Sequence, residues 1–177
     1  MINKIFKEEY SNNEIKILIT KESHIFKLVN YSLKKNFYKY LEFKVFNRSQ
    51  AKDYFKKKIE NQKIFFYTIF QKKNIVGTFS IHRINKKKKS CEIGYGIDPK
   101  YWGKGIFKKL IKLTKKEIFR SGFLEINVLT REDNYPSISG LIKNDFQIIK
   151  KIKNFYYDKK TKKKYNAFKL QCLKKNY

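Results

Sequence analysis

Apolar positions along this chain alternate in some stretches, run together in others and recur every three to four residues in the rest, which predicts interleaved strands and helices. Over residues 14–20, Ile15, Ile17 and Ile19 share one face of a strand. Thr20 can cap the next segment, where Ile25, Phe26, Val29 and Leu33 recur at helical spacing to about Lys35. Residues 38–46 are aromatic without a clean period and suit a loop or an irregular helix. Ser49 is a good N-cap for a helix over 50–60, with Ala51, Tyr54, Phe55 and Ile59 as its apolar stripe. A continuous apolar run over 64–70, a turn at 71–74 and a second strand over 75–84, with Gly77 near its start, read as an antiparallel hairpin.

Lys86 to Lys89 form a solvated turn before a strand over 90–97. Gly94 and Gly96 lie inside that strand, which predicts a bulge or a close approach to the backbone. From Lys104 to Arg120, Phe107, Leu110, Ile111, Thr114 and Ile118 make one buried helical face, and Gly122 can supply the left-handed cap. A strand over 123–129 places Leu124, Ile126 and Val128 opposite Glu125 and Asn127. A short helix opens at Asn134, with Pro136 in its first turn, and ends near Asn144 and Asp145. Strands over 146–152 and 165–172 flank an exposed lysine-rich turn at 158–164. No repeat or linker interrupts the chain, so residues 1–177 read as one mixed α/β domain.

Composition narrows the function classes. A length of 177 residues with 41% hydrophobic residues supports one core. No stretch nears the roughly 18–20 apolar residues that span a bilayer, and the first residues lack a signal-peptide apolar core. Cys91 and Cys172 have neither metal nor redox spacing, so a reducing cytoplasm with no metal is the simplest expectation. The net charge of +28 invites a nucleic-acid reading. Lysine and arginine total 43, however, and only Arg48, Arg83, Arg120 and Arg131 are arginine. Alanine occurs only as Ala51 and Ala167, while Lys, Asn, Ile, Phe and Tyr abound. Those five share A/T-rich codons, so mutational bias in the genome is the alternative source of the charge. A surface selected to grip phosphates or read bases would favour arginine's planar fork. The charge still favours weak association with RNA or the ribosome at low salt.

The chemistry gathers at the stretch from Ile93 to Phe107. An apolar run ends at Pro99, a short glycine loop follows, and a helix begins. The first amides of a helix lack internal partners and its dipole favours negative charge. Gly103 and Gly105 would let a phosphate approach the backbone. The same pattern also suits a plain strand–turn–helix connection.

With the strand over 123–129 and the later run Asn134, Ser137, Asp145 and Phe146, this stretch resembles the GNAT superfamily of acyl-CoA-dependent N-acetyltransferases, within it the Rim-type branch. The superfamily's pyrophosphate loop, Gln/Arg-x-x-Gly-x-Gly/Ala, falls on Trp102, Gly105 and Phe107. Gly105 matches; Trp102 departs from the wider pattern but is familiar in the Rim-type branch; Phe107 replaces a small residue and could crowd the cofactor side. The second motif, Asn-x-x-Ser then Gly-Phe, falls on Asn134, Ser137, Asp145 and Phe146, with Asp145 in the glycine's place. Asp tolerates the left-handed turn that position needs better than most residues.

The resemblance implies an α/β (α+β) domain with a central, mixed, mostly antiparallel twisted sheet flanked by helices. It implies acetyl-CoA as co-substrate and a primary amine as acceptor, either a protein N-terminus or a small amine such as an amino sugar. The strand over 90–97 would splay from that over 123–129 at a bulge. Tyr95, Gly96 and Ile97 would then line the pantetheine and thioester through backbone amides. Trp102, Gly103, Lys104, Gly105, Ile106, Phe107 and Lys108 would hold the pyrophosphate, and Asn134 would orient the CoA arm or the second motif. Glu92 stands where many members place a carboxylate base, and burial would raise its pKa toward a working range. A surface glutamate balancing nearby lysines is the plainer alternative. The family's tyrosine acid falls on Leu141, which leaves Ser137 as the substitute and Tyr135 as a further nearby hydroxyl. His82 and His24 could face the acceptor, although a lone histidine is more often structural, and Cys91 reads as a core residue. A non-catalytic acyl-CoA-binding or ribosome-associated module on the same fold is the competing reading.

Overall fold

A computed structural model describes residues 5–34, 36, 37, 40, 47–158 and 162–174. Among them run β1 (Glu9–Ser11), β2 (Lys16–Ile19), α1 (Glu22–Ser32), α2 (Arg48–Glu60), β3 (Phe65–Gln71), β4 (Asn74–Asn85), β5 (Ser90–Ile97), α3 (Ile106–Arg120), β6 (Glu125–Arg131), α4 (Tyr135–Ile142), β7 (Gln147–Asp158) and β8 (Lys163–Leu173). The strands form one sheet in the order β1-β2-β3-β4-β5-β6-β8-β7. Neighbours are antiparallel except β5 and β6, which α3 joins as a crossover. This is the predicted fold class. No helix among the described residues is long and apolar enough to cross a membrane.

The parallel pair makes only the rungs Ser90↔Glu125, Cys91↔Ile126 and Glu92↔Asn127. Beyond them each strand follows its antiparallel neighbour, β5 along β4 to Gly77↔Ile97 and β6 along β8 to Arg131↔Ala167. Sheet twist then carries the two apart. The expected bulge at this point is absent: pairing of β4 with β5 is regular from Gly77 to His82, and its irregularity lies between His82 and Asn85. The close approach predicted for the glycines is present. A Cβ on Gly94 would sit 2.9 Å from Ser80 Oγ, and one on Gly96 would sit 3.2 Å from the Phe37 ring.

Alternation divides the sheet's faces. Phe79, Ile81, Cys91, Ile93, Ile126 and Val128 pack with Ile106, Leu110, Ile111 and Ile118 of α3. On the other face, Phe66 packs with Ile25, Leu28 and Val29 of α1 and Ala51 and Phe55 of α2. Thr114 is buried on α3 as expected, and its hydroxyl donates to the Leu110 carbonyl (2.8 Å).

Several local expectations are corrected. Lys21, not Thr20, is the N-cap of α1, because the Thr20 hydroxyl is engaged by Thr68 of β3 (2.9 Å). Phe26 is 69% exposed and Leu28 takes its place in the core. Asn47 caps α2 by accepting from the Gln50 amide (2.9 Å), so Ser49 lies inside the helix. Helix α3 begins at Ile106 rather than Lys104, and Leu124 is exposed ahead of β6. Gly122 supplies the left-handed cap (φ 90°), and Asp145 adopts φ 68° at the motif's glycine position. Residues 38, 39, 41–46 and 159–161, from the aromatic stretch and the late turn, lie outside the described residues.

Candidate active site

The gap between β5 and β6 opens into a cleft of about 460 Å³. Gly94, Tyr95 and Gly96 line it from β5, Val128, Leu129 and Thr130 from β6, and Tyr54, Phe55 and Lys58 from α2. Both predicted catalytic residues, Glu92 and Ser137, border this one cleft, as do Asn134 and His82. Beyond Glu92, the β6-facing edge of β5 has backbone groups with no strand partner. Such groups need another donor or acceptor, and a pantetheine amide can provide one.

The glycine loop expected to meet the phosphates lies at the end of β5. Asp98 is buried and accepts from Lys34 Nζ (2.7 and 2.9 Å) and from the Lys100 amide (3.0 Å), which fixes how the loop leaves the strand. Pro99–Tyr101 form one 3₁₀ turn, and the Trp102 indole donates to the Ile97 carbonyl (2.9 Å). Gly103 (φ 73°) and Gly105 (φ 74°) are left-handed, with open space where a side chain would stand. Gly105 is the N-cap of α3, and no side chain caps that end. The amides of Ile106, Phe107 and Lys108 therefore stand without intrahelical partners at the positive end of the dipole. An uncapped, glycine-opened helix end beside parted strands fits the diphosphate and pantetheine of acetyl-CoA. Lys104 and Lys108 are exposed beside it. Ile106 contributes only its backbone, since its side chain is buried in the core.

Phe107 turns away from that opening. Its ring packs at a tilt of 59° against Tyr95 with centroids 4.8 Å apart, and it lies where a side chain on Gly140 would stand. The crowding expected from this bulky residue is therefore directed at α4, and Gly140 makes room for it. The Tyr95 hydroxyl meets Ser137 Oγ at 2.7 Å. Burial pushes the Tyr95 hydroxyl above its ordinary pKa, only partly countered by the Ser137 bond, so it stays protonated at neutral pH. Asn134 caps α4 by accepting from the Ser137 amide (3.4 Å). Leu141, at the family's tyrosine position, is fully buried.

Glu92 is half-enclosed and paired. His82 Nε2–H donates to its Oε1 (3.1 Å) and the Arg83 guanidinium donates to Oε2 (3.0 Å). Burial alone would raise the Glu92 pKa. The His82 bond and the charge of Arg83 outweigh it and hold the carboxyl below its ordinary value. The expectation of a raised Glu92 pKa is thus corrected: sequence indicated the burial and missed the partners. His24 lies elsewhere, at the start of α1, where its Nδ1 meets Thr68 Oγ1 (3.1 Å). Burial, then the charges of Lys21 and Lys27, hold its imidazole below the ordinary value. Tyr135 is exposed, and Cys91 is a core thiol that burial pushes up to about 12. Ser80, unremarked in the sequence, stands beside His82 with Oγ 3.4 Å from Nδ1. No group of three or more metal-binding side chains occurs among the described residues.

A family model described as an acetyltransferase (GNAT) domain matches residues 19–147. The chain belongs to the GNAT acetyltransferases. It is 31% identical over 81 residues to the ribosomal-protein-serine acetyltransferase of Escherichia coli K12, a match covering 45% of each chain. It is 29% identical over 90 residues to the N-acetyltransferase YoaA of Bacillus subtilis 168, covering 50% of this chain and 51% of YoaA. The chain thus spans about half the length of the curated relatives it matches. Across nearly the whole fold it superposes on RimL, a ribosomal L7/L12 α-N-protein acetyltransferase, with TM-score 0.84 and 19% identity over 94% of both chains. It also superposes on the microcin C7 self-immunity acetyltransferase MccE, solved with acetyl-CoA and AMP, with TM-score 0.81 and 22% identity over 92% of this chain and 94% of MccE.

Proposed function

We propose that this GNAT protein moves an acetyl group from acetyl-CoA to a primary amine by direct transfer in a ternary complex. The observation that carries the reading is the parting of β5 from β6 beside an uncapped, glycine-opened N-terminus of α3. The unpaired edge of β5 around residues 95–97 would hold the pantetheine and offer amides to the thioester oxygen. The loop from Trp102 to Lys108 would hold the diphosphate, and Asn134 would keep α4 in place against the CoA arm. Glu92 and His82 stand ready to accept the amine's proton across the cleft. The protonated Tyr95–Ser137 pair would donate to the departing thiolate.

The acceptor we favour is a protein N-terminus, as in the ribosomal-protein acetyltransferases it resembles. A small amine such as an amino sugar is the second choice. Weak electrostatic association with RNA or the ribosome would bring a basic chain near ribosomal proteins. A cytoplasmic setting suits Cys91 and Cys172, which are both buried.

CoA release from acetyl-CoA tests the reading against three acceptor pools: peptides with free ribosomal-protein N-termini, nucleotide-linked amino sugars, and free amino acids with polyamines. Turnover with at least one pool is expected. Fully buried Leu141 in place of the family's tyrosine favours the competing, non-catalytic acyl-CoA module. Tight acetyl-CoA binding without turnover in any pool would select that module. Tyr95→Phe keeps the ring on Phe107 and deletes only the hydroxyl, so kcat should fall roughly tenfold or more with little change in acetyl-CoA affinity. Unchanged kcat would remove the Tyr95–Ser137 pair from the chemistry.

A further inference from the structure

We infer that His82, rather than Glu92, takes the acceptor amine's proton, with Glu92 as the positioning carboxylate that holds the imidazole. The inference rests on the transferase reading above and assigns a residue within it.

The geometry begins with the hairpin register. His82 of β4 lies opposite Glu92 of β5, and Ser80 lies opposite Gly94. A carboxylate can only accept, so the 3.1 Å bond to Glu92 Oε1 requires the proton on His82 Nε2. In the neutral ring this leaves the lone pair on Nδ1, the nitrogen turned toward Ser80 Oγ. The missing side chain of Gly94 keeps that edge of the ring open: a Cβ there would sit 3.4 Å from His82 Cε1 and 2.9 Å from Ser80 Oγ. Both Glu92 oxygens are already engaged, one by His82 and one by Arg83. An incoming ammonium would replace the Ser80 hydroxyl as the donor to Nδ1. Among the described residues, the other charged or titratable groups that line the cleft are Arg83 on the same strand, Tyr95 on β5, Lys58 and Tyr54 on α2, Tyr156 on β7, and Tyr40.

The protons balance. The ammonium gives one proton to Nδ1, and the freed lone pair attacks the thioester carbon. The C–N bond forms and the C–S bond breaks as the tetrahedral intermediate collapses. The nitrogen's second proton reaches the departing thiolate through the pocket's hydroxyls, and the imidazolium returns its own proton to water. Glu92 stays ionised throughout and stabilises the imidazolium.

Two measurements test this. The chain contains only His24 and His82, so imidazole ¹⁵N–¹H correlation spectra hold two ring systems, and His24→Gln assigns them. The neutral His82 ring should carry its proton on Nε2, and Glu92→Gln should weaken that preference. A ring protonated mainly on Nδ1 would overturn the inference. In turnover at pH 7, with the first acceptor pool that responds, His82→Ala should lose about a hundredfold and added imidazole should restore part of it. His82→Gln, which keeps the volume, should lose as much without rescue, while Glu92→Gln loses about tenfold. Near-wild-type turnover in His82→Gln, or a larger loss in Glu92→Gln than in either His82 variant, would return the base role to Glu92. Wild-type protein inert toward all three pools would overturn the transferase reading itself, and the proton path with it.

Discussion

Gly105→Glu is expected to abolish acetyl-CoA binding while the protein still folds. Gly105 is the N-cap of α3 at φ 74°, with nothing within 4 Å of where its side chain would begin. A substitution there meets no steric wall. It incurs the left-handed penalty of an L-residue, about 1–2 kcal/mol, and the sheet and both cores are untouched. The ligand fares worse. A carboxylate would stand at the helix end proposed for the diphosphate, opposing two like charges and competing for the amides of Ile106, Phe107 and Lys108. Affinity should fall by ~100-fold or more, measured by calorimetry, with the melting temperature lowered by only a few degrees. Gly105→Ala separates the two causes: it carries the backbone penalty without the charge and should lose far less affinity. Unchanged affinity in a folded Gly105→Glu protein would mean that the diphosphate lies elsewhere.

Features set by neighbouring residues were legible from sequence. The bounds of β5, the stripe of Leu110, Ile111, Thr114 and Ile118, the cap at Gly122 and the left-handed Asp145 each follow from a few adjacent positions. What was not legible depends on partners distant in the chain. Thr20 is a sound N-cap by type, but Thr68, 48 residues away, holds its hydroxyl. The three residues of β1 carry too little pattern to declare a strand and exist because β2 pairs with them. Phe26 fits a helical stripe as well as Leu28 does until α2 and Phe66 decide which face is covered. The same distinction runs through the site. The glycine loop was visible as a local motif. The pairing of His82 with Glu92 required the hairpin register, and the downward shift at Glu92 required Arg83 as well. Sequence thus showed the glycine loop more fully than the partners of Glu92.

The relation of Phe107 to Gly140 turns a departure from the family motif into a stability prediction. An Ala for Gly exchange inside a helix ordinarily stabilises by about 1 kcal/mol, because Gly has more backbone freedom to lose. In α4 the sign should reverse. A Cβ on Gly140 would lie 2.5 Å from Phe107 Cε1 and 2.7 Å from Cδ1, closer than side-chain carbons approach in folded proteins. The ring cannot easily yield, since Tyr95 packs against it and its own backbone sits in the first turn of α3. Overpacking of this kind costs about 1–3 kcal/mol, which exceeds the helix gain. Gly140→Ala should therefore lower the urea midpoint with the slope unchanged. Phe107→Leu alone should also destabilise, by loss of ring contacts. Combined with Gly140→Ala, it should recover stability relative to the sum of the single changes, because the added methyl occupies space the ring has left. Additive losses would show that the ring had moved instead. If it had swung toward the loop, weakened acetyl-CoA binding in Gly140→Ala would reveal it.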